Sequence, residues 1–157
     1  MTLQIEGLTK RFGAHTLFRG LELRVEGPAV LWAPSGWGKT TLLRILMGLE
    51  RPDAGSVTGV GRVAAVFQED RLCPQLTAVE NVLLVLPDGR ARRGGVEADF
   101  ARLGMTGDAL TLPAARLSGG QKRRAALLRA VWAKADTRLF DEPFTGLDPA
   151  AMERRPD

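Results

Sequence analysis

The sequence predicts an α/β fold: a core of alternating strands and helices, antiparallel strands ahead of it, and a helical segment inserted into it. Three observations predict this. The first 26 residues alternate apolar and polar positions. An apolar run, AVLWAP, leads into APSGWGKTT and then into an amphipathic helical pattern. A short apolar run, RLF, ends at the adjacent carboxylates Asp141 and Glu142. The 157 residues suffice for one core, and 1–157 reads as a single domain without repeat or linker.

The elements follow in chain order. Leu3 and Ile5 alternate with polar neighbours, and Leu21, Leu23 and Val25 alternate with Glu22, Arg24 and Glu26. Period two with one polar face predicts antiparallel strands on a surface sheet. AVLWAP is apolar on both faces, which predicts a buried central strand. In TTLLRILMGLERP, residues Leu42, Ile45, Leu46 and Leu49 make one helical stripe, and Pro52 stops it. RVAAVFQ, ending at Gln68, predicts a second buried strand. Thr77 and Glu80 form a capping-box pattern before NVLLVL, a helix start. Roughly 73–116 is rich in turns and short helices and reads as an inserted subdomain. Arg90 to Arg93 read as a solvated loop face. Gln121 to Lys134 predict a helix with Leu127, Leu128, Val131 and Trp132 on its apolar face. RLF predicts a short strand, and strands alternating with helices predict a parallel sheet.

Composition removes some classes of function. One cysteine, Cys73, excludes an intrachain disulfide, which fits a reducing compartment. The apolar runs Pro28–Pro34 and Val82–Leu86 fall far short of the roughly 20 residues that cross a bilayer. The net charge of +4 permits acidic partners, but the charges are scattered and no nucleic-acid partner is expected. His15 reads as an ordinary surface histidine.

The chemistry concentrates in three stretches. The first is APSGWGKTT: Ala33, Pro34, Ser35, Gly36, Trp37, Gly38, Lys39, Thr40 and Thr41. Strand, glycine-rich loop and helix in that order form a phosphate cradle. Gly36 and Gly38 clear side chains from backbone N–H groups, and the helix N-terminus faces the anion. Lys39 places a charge on the β and γ phosphates, and the Thr40 hydroxyl suits Mg²⁺. Ala33 stands where such loops usually have glycine. It costs little at negative φ and about 1–2 kcal/mol at positive φ. Trp37 has two roles open to it, lying along a nucleotide or covering the loop. The second stretch is RLFDEPFTGLD, with Asp141 suited to the Mg²⁺ shell and Glu142 to polarising a water as general base. The third is LSGGQ: Ser118, Gly119, Gly120 and Gln121 open a helix with a cap hydroxyl and bare N–H groups, a second phosphate-binding end. Two such ends in one chain suit two chains sharing each nucleotide head to tail.

Together these residues resemble the nucleotide-binding subunit of ATP-binding cassette (ABC) transporters, across essentially the whole chain. The resemblance implies a P-loop NTPase core of the ABC ATPase type, with an N-terminal antiparallel β subdomain and an inserted helical subdomain. APSGWGKTT is similar to the Walker A loop, Gln68 to the Q-loop glutamine that contacts Mg²⁺, LSGGQ to the signature, LFDEP to Walker B, and TGLD, ending in Asp148, to the D-loop. Phe12 stands where the family has the aromatic that stacks on adenine. The resemblance implies ATP and Mg²⁺ as cofactors and Glu142 as the catalytic base. Thr40, Gln68 and Asp141 would serve the metal. It further implies a second such domain in a homodimer, a transmembrane permease, an external substrate-binding protein, and a place on the cytoplasmic face of the membrane. VFQEDRLCPQLTAVENV is similar to importers of the nitrate, sulfonate and taurine group. Thr137 and Arg138 stand where the family's strand is apolar, so Arg138 is expected to need a partner or an edge. The family's switch histidine follows the D-loop by some thirty residues and has no counterpart before Asp157. The expectation is a C-terminally short cassette, with ATP binding and little hydrolysis as the alternative to an active ATPase.

Overall fold

A computed structural model describes residues 2–144. The chain divides after Val63 into two compact units. Asp148 lies outside the described residues.

The first unit opens with β1 (Leu3–Phe12) and β2 (His15–Val25), paired antiparallel with Leu3 opposite Val25, Ile5 opposite Leu23 and Phe12 opposite His15. β3 (Ala54–Thr58) joins the other edge of β1, also antiparallel, giving the order β2-β1-β3. The alternation read from the sequence survives here because one face is covered: Leu3, Ile5, Leu8 and Phe18 are buried. His15 is exposed at the start of β2, as expected.

α1 (Lys39–Leu46) buries Leu42, Ile45 and Leu46. It ends sooner than the stripe suggests, and Leu49 is exposed. Gly48 takes φ 70, and the amides of Gly48 and Leu49 donate to the carbonyls of Ile45 and Arg44 at 2.9 Å. That left-handed closure stops the helix before Leu49 can join its face. A larger difference concerns AVLWAP. Residues 29–34 form no strand, and Val30 and Trp32 are 93% and 86% exposed. A strand apolar on both faces needs hydrogen-bonding neighbours, and among the described residues none pairs with it.

The second unit holds β4 (Val63–Val66), hydrogen-bonded to β5 (Thr137–Phe140), with helices between them in sequence. These are α2 (Ala78–Leu83), α3 (Gly89–Arg102), α4 (Asp108–Thr111), a 3-10 turn at Ala114–Arg116, and α5 (Gly119–Trp132). Val79 and Val82 of α2, Val96 and Phe100 of α3, Met105, Leu117, and Ala125 and Leu128 of α5 make one core. Ala64 and Val66 of β4 pack with Ala126 and Ala130 of α5 in another. The predicted capping box is present: the Thr77 hydroxyl accepts from the Glu80 amide, and the Glu80 carboxylate accepts from the Thr77 amide.

Two expectations shift in this unit. Arg90 to Arg93 lie in helix α3, not in a loop, although Arg90, Arg92 and Arg93 keep substantial solvent exposure. The helix is anchored by Val96 and Phe100 and supported by an Arg93–Glu97 pair at 3.1 Å, one turn apart. Three of the four apolar residues named for α5 are packed, Leu128 buried and Leu127 and Trp132 partly buried against the cores. The helix buries Arg123, Ala125, Ala126, Leu128 and Ala130, whereas Val131 is 54% exposed. Small residues let α5 approach β4 closely, so Ala126 and Ala130 take the buried contact. Arg138, on β5, does find partners. Its guanidinium donates to the carbonyls of Ala130, Val131 and Ala133, which end α5. A cation there satisfies orphan carbonyls and opposes the helix dipole.

Candidate functional site

The described site residues fall into two groups, one in each unit.

In the first unit, residues 33–38 lead into α1. The Trp37 amide donates to the Pro34 carbonyl at 3.3 Å, which closes the loop. Gly38 is the N-cap of α1 at φ 103, ψ 18, and its carbonyl accepts from the Leu42 amide at 2.8 Å. A Cβ on Gly38 would lie 2.7 Å from Leu17 Cδ2 and 2.8 Å from Phe18 Cζ. Glycine is required there by both backbone and packing. No carboxylate occupies the first turn of α1. Lys39 reaches back over the loop, donating to the carbonyls of Ala33 at 2.7 Å and Pro34 at 3.1 Å. Thr40 and Thr41 follow in the first turn.

Ala33 is not among the residues with positive φ, so the low-cost case holds for it. Trp37 packs on Phe18, ring centroids 5.3 Å apart and tilted by 57°. Of its two roles, the contact present is the one that covers the loop. Phe12, at the end of β1, is half exposed and lies with its ring 5.0 Å from the Lys10 ammonium. Lys10 also donates to Glu50 at 2.6 Å and to the Arg51 carbonyl at 2.8 Å. Its hydrogen bond holds the Glu50 carboxyl below the ordinary carboxylate range.

In the second unit, Ser118 is the N-cap of α5. Its hydroxyl accepts from the Gln121 amide at 3.3 Å, and Gln121 Oε1 accepts from the Ser118 amide at 2.9 Å. Serving as acceptor leaves the Ser118 proton able to donate to an anion. Gly119 and Gly120 begin the helix, which has no acid in its first turn. Gln68 is exposed just after β4. Asp141 and Glu142 follow β5, and the Asp141 amide donates to the Val66 carbonyl at 2.9 Å. Glu142 has φ 47, a left-handed conformation rare outside glycine.

The structure brings Gln68, Asp141 and Glu142 together through a residue the sequence reading passed over. Arg123 is 3% exposed, and its guanidinium bonds to backbone carbonyls of both segments. Arg129 adds bonds to the carbonyls of Arg71 at 2.9 Å and Asp70 at 3.1 Å. Burial lowers the Arg129 pKa, opposed by the nearby Asp70 carboxylate. Asn81 was also missed. Fully buried, it accepts from the Cys73 amide at 2.8 Å and donates to the carbonyls of Cys73, Leu76 and Thr77. It shapes the turn between the Gln68 segment and α2. A sequence signal for Arg123 did exist: it shares a helical stripe with Ala126 and Ala130 at i+3 and i+7.

Thr40 in the first unit and Gln68 and Asp141 in the second each carry an oxygen donor of the kind magnesium takes. A hydroxyl, an amide oxygen and a carboxylate are hard oxygen ligands. The described residues contain no cluster of three or more His, Cys, Asp or Glu that would hold a metal alone.

Comparison with known proteins adds the following. The ABC transporter family model matches residues 21–145. The chain is 43% identical over 159 residues to aliphatic sulfonates import ATP-binding protein SsuB 1 of Nocardia farcinica, covering 100% of this chain and 64% of that protein. It is 39% identical over 166 residues to Fe(3+) ions import ATP-binding protein FbpC 1 of Rhodococcus jostii, covering 93% of this chain and 47% of that one. The chain thus spans less than two thirds of these relatives. Its fold is similar to the dimeric structure of MJ0796, a bacterial ABC transporter cassette, with a TM-score of 0.78 and 25% identity over 96% of this chain and 78% of that one. The likeness agrees with the ABC ATPase fold expected from the motifs.

Proposed function

The chain belongs to the ABC transporter family, and from that premise we propose that it binds and hydrolyses ATP to energise an importer. The observation that carries this reading is the loop 33–38 at the start of α1. Gly38 is kept bare by packing, Lys39 folds over the loop, and no carboxylate occupies the first turn of the helix. The catalytic roles are assigned by chemistry. Loop amides and Lys39 hold the phosphates, and Phe12 stacks on the base. Glu142, exposed beyond β5, draws a proton from the attacking water. Magnesium, held by Thr40, Gln68 and Asp141, supplies neutralisation of phosphate charge when bound. Ser118, Gly119, Gly120 and Gln121 of a second copy complete the site, and the D-loop motif gives Asp148 a part in it. A dimer is the state in which the MJ0796 cassette is described.

The partners follow from the same premise: a second copy, a permease, and an external substrate-binding protein. Residues 73–116 act as an inserted helical subdomain facing the permease. The protein sits peripherally on the cytoplasmic face of the membrane. Among the described residues no helix is long and apolar enough to cross it. Relatives named for sulfonates and for Fe(3+) differ little in identity to this chain, 43% against 39%, so import is the level at which they agree.

The test is MgATP turnover by the chain over a range of protein concentrations, with Glu142→Gln as control. Turnover should rise faster than protein concentration and vanish in the control, which still binds ATP. Turnover strictly proportional to protein at every concentration counts against a shared site. Turnover that survives in the control removes Glu142 from its role.

A further inference from the structure

Resting on that functional reading, we propose that Arg123 is a positioning residue that ties the Gln68 segment to the Glu142 segment so that they move as one. The geometry is a fork with a loop on each side. On one side, Nε donates to the Pro143 carbonyl at 2.8 Å, and Nη2 donates to the carbonyls of Asp141 at 3.2 Å and Glu142. On the other, Nη1 donates to the Phe67 carbonyl and, at 3.4 Å, to the Gln68 carbonyl and Asp70 Oδ1. Every nitrogen of the guanidinium is engaged.

The guanidinium is planar and permanently charged, so the spacing between its two sides is set by bonds rather than by packing. A buried charge is costly unless its donors are met. Withdrawing either loop strands donors in a side chain only 3% exposed, so displacement of one loop is resisted through the other. The second observation is the backbone of Glu142. Its φ of 47 is strained for a residue with a side chain and persists only where the surroundings over-determine it. Arg123 grips the carbonyl of Glu142 and those of both its neighbours, which is that over-determination. Arg123 touches no reacting atom. It sets where the Glu142 carboxylate starts, and it links that place to the segment carrying Gln68. A lysine keeps the charge but offers a single point, which cannot span both loops.

The experiment compares the full chain with Arg123→Lys, Arg123→Gln and Arg129→Lys. Amide hydrogen exchange is followed over 66–70 and 140–144, together with MgATP affinity and kcat. Both Arg123 variants should speed exchange at least 10-fold in both segments while α2 and α3 keep their protection. kcat should fall at least 10-fold with MgATP affinity within 2-fold. Arg129→Lys, whose hydrogen bonds among the described residues go to the carbonyls of Asp70 and Arg71, should loosen that end of the first segment and leave 140–144 unchanged. Faster exchange in one segment alone overturns the proposal. So does a loss of protection throughout the unit with affinity and kcat falling together, which marks a merely structural arginine. If Arg123→Gln does not fold, Arg123→Lys decides by the same criteria. If the parent chain shows no turnover, the functional reading fails, while the exchange pattern still decides whether Arg123 joins the loops.

Discussion

Replacing Gly38 with alanine tests the loop through stability alone, without a nucleotide. Gly38 sits at φ 103, where a side chain costs about 1–2 kcal/mol in backbone strain. The new Cβ meets Leu17 Cδ2 at 2.7 Å and Phe18 Cζ at 2.8 Å. Leu17 is half-buried and can give way. Phe18 is 4% exposed and packed against Trp37, so it yields only by disturbing that contact. Overpacking of this kind costs about 1–3 kcal/mol, for a total of about 2–5 kcal/mol. Gly36 supplies the control. Its φ is 79, but nothing lies within 4 Å of a Cβ there, so Gly36→Ala should cost only the strain, about 1–2 kcal/mol. The assay is urea unfolding of both variants, monitored by tryptophan fluorescence. With a slope of about 1–3 kcal/mol/M, the difference between them is of order 1 M in midpoint. Equal midpoints would refute the packing argument and leave φ as the only reason for glycine at 38.

Other consequences can be checked as simply. Ala33→Gly, which restores the family's usual residue, should not tighten ATP binding by more than about 3-fold, since Ala33 bears no left-handed strain, and should lower stability by about 0.4–1 kcal/mol; titration with a fluorescent ATP analogue and urea unfolding measure the two. Asn81→Leu leaves the Cys73 amide without the Asn81 acceptor and takes one of two donors from the carbonyls of Cys73, Leu76 and Thr77, and should cost about 1–3 kcal/mol, read from the urea midpoint. Thr77 holds the Glu80 carboxyl below its ordinary 4.5 through its backbone and side-chain hydrogen bonds. The folded chain therefore binds fewer protons at Glu80 than the unfolded one. That contribution is full above about pH 4.5 and is lost as pH falls through the lower folded value. Thermal midpoints between pH 6 and pH 3 should fall less steeply in Thr77→Ala, which itself costs about 1 kcal/mol at neutral pH. Arg138→Ala should cost about 0.5–1.5 kcal/mol by releasing the last carbonyls of α5, seen as faster amide exchange at Val131 to Ala133.

Local chemistry alone determined much of this molecule. The alternation in β1 and β2, the capping boxes at Thr77 and Ser118, and the glycines ahead of Lys39 each depend on residues within a few positions of one another. Their consequences can be read without knowing the rest of the fold. The proposed phosphate cradle is legible in the sequence for the same reason: such a cradle is made of consecutive backbone amides.

Tertiary structure decided what depends on partners distant in sequence. The apolar run 29–34 has the composition of a strand, but pairing belongs to the neighbour as much as to the segment, and among the described residues no neighbour pairs with it. The face that α5 buries is chosen by how closely β4 can approach, so Ala126 and Ala130 go inside while Val131 stays out. Arg123 shows the difference most plainly. In the sequence it stands among KRR, within the helix expected over Gln121 to Lys134. In the fold, carbonyls 56 positions before it and up to 20 after it converge on one guanidinium. Local periodicity does not specify that convergence, because the partners are backbone atoms, whose chemistry is the same at every residue.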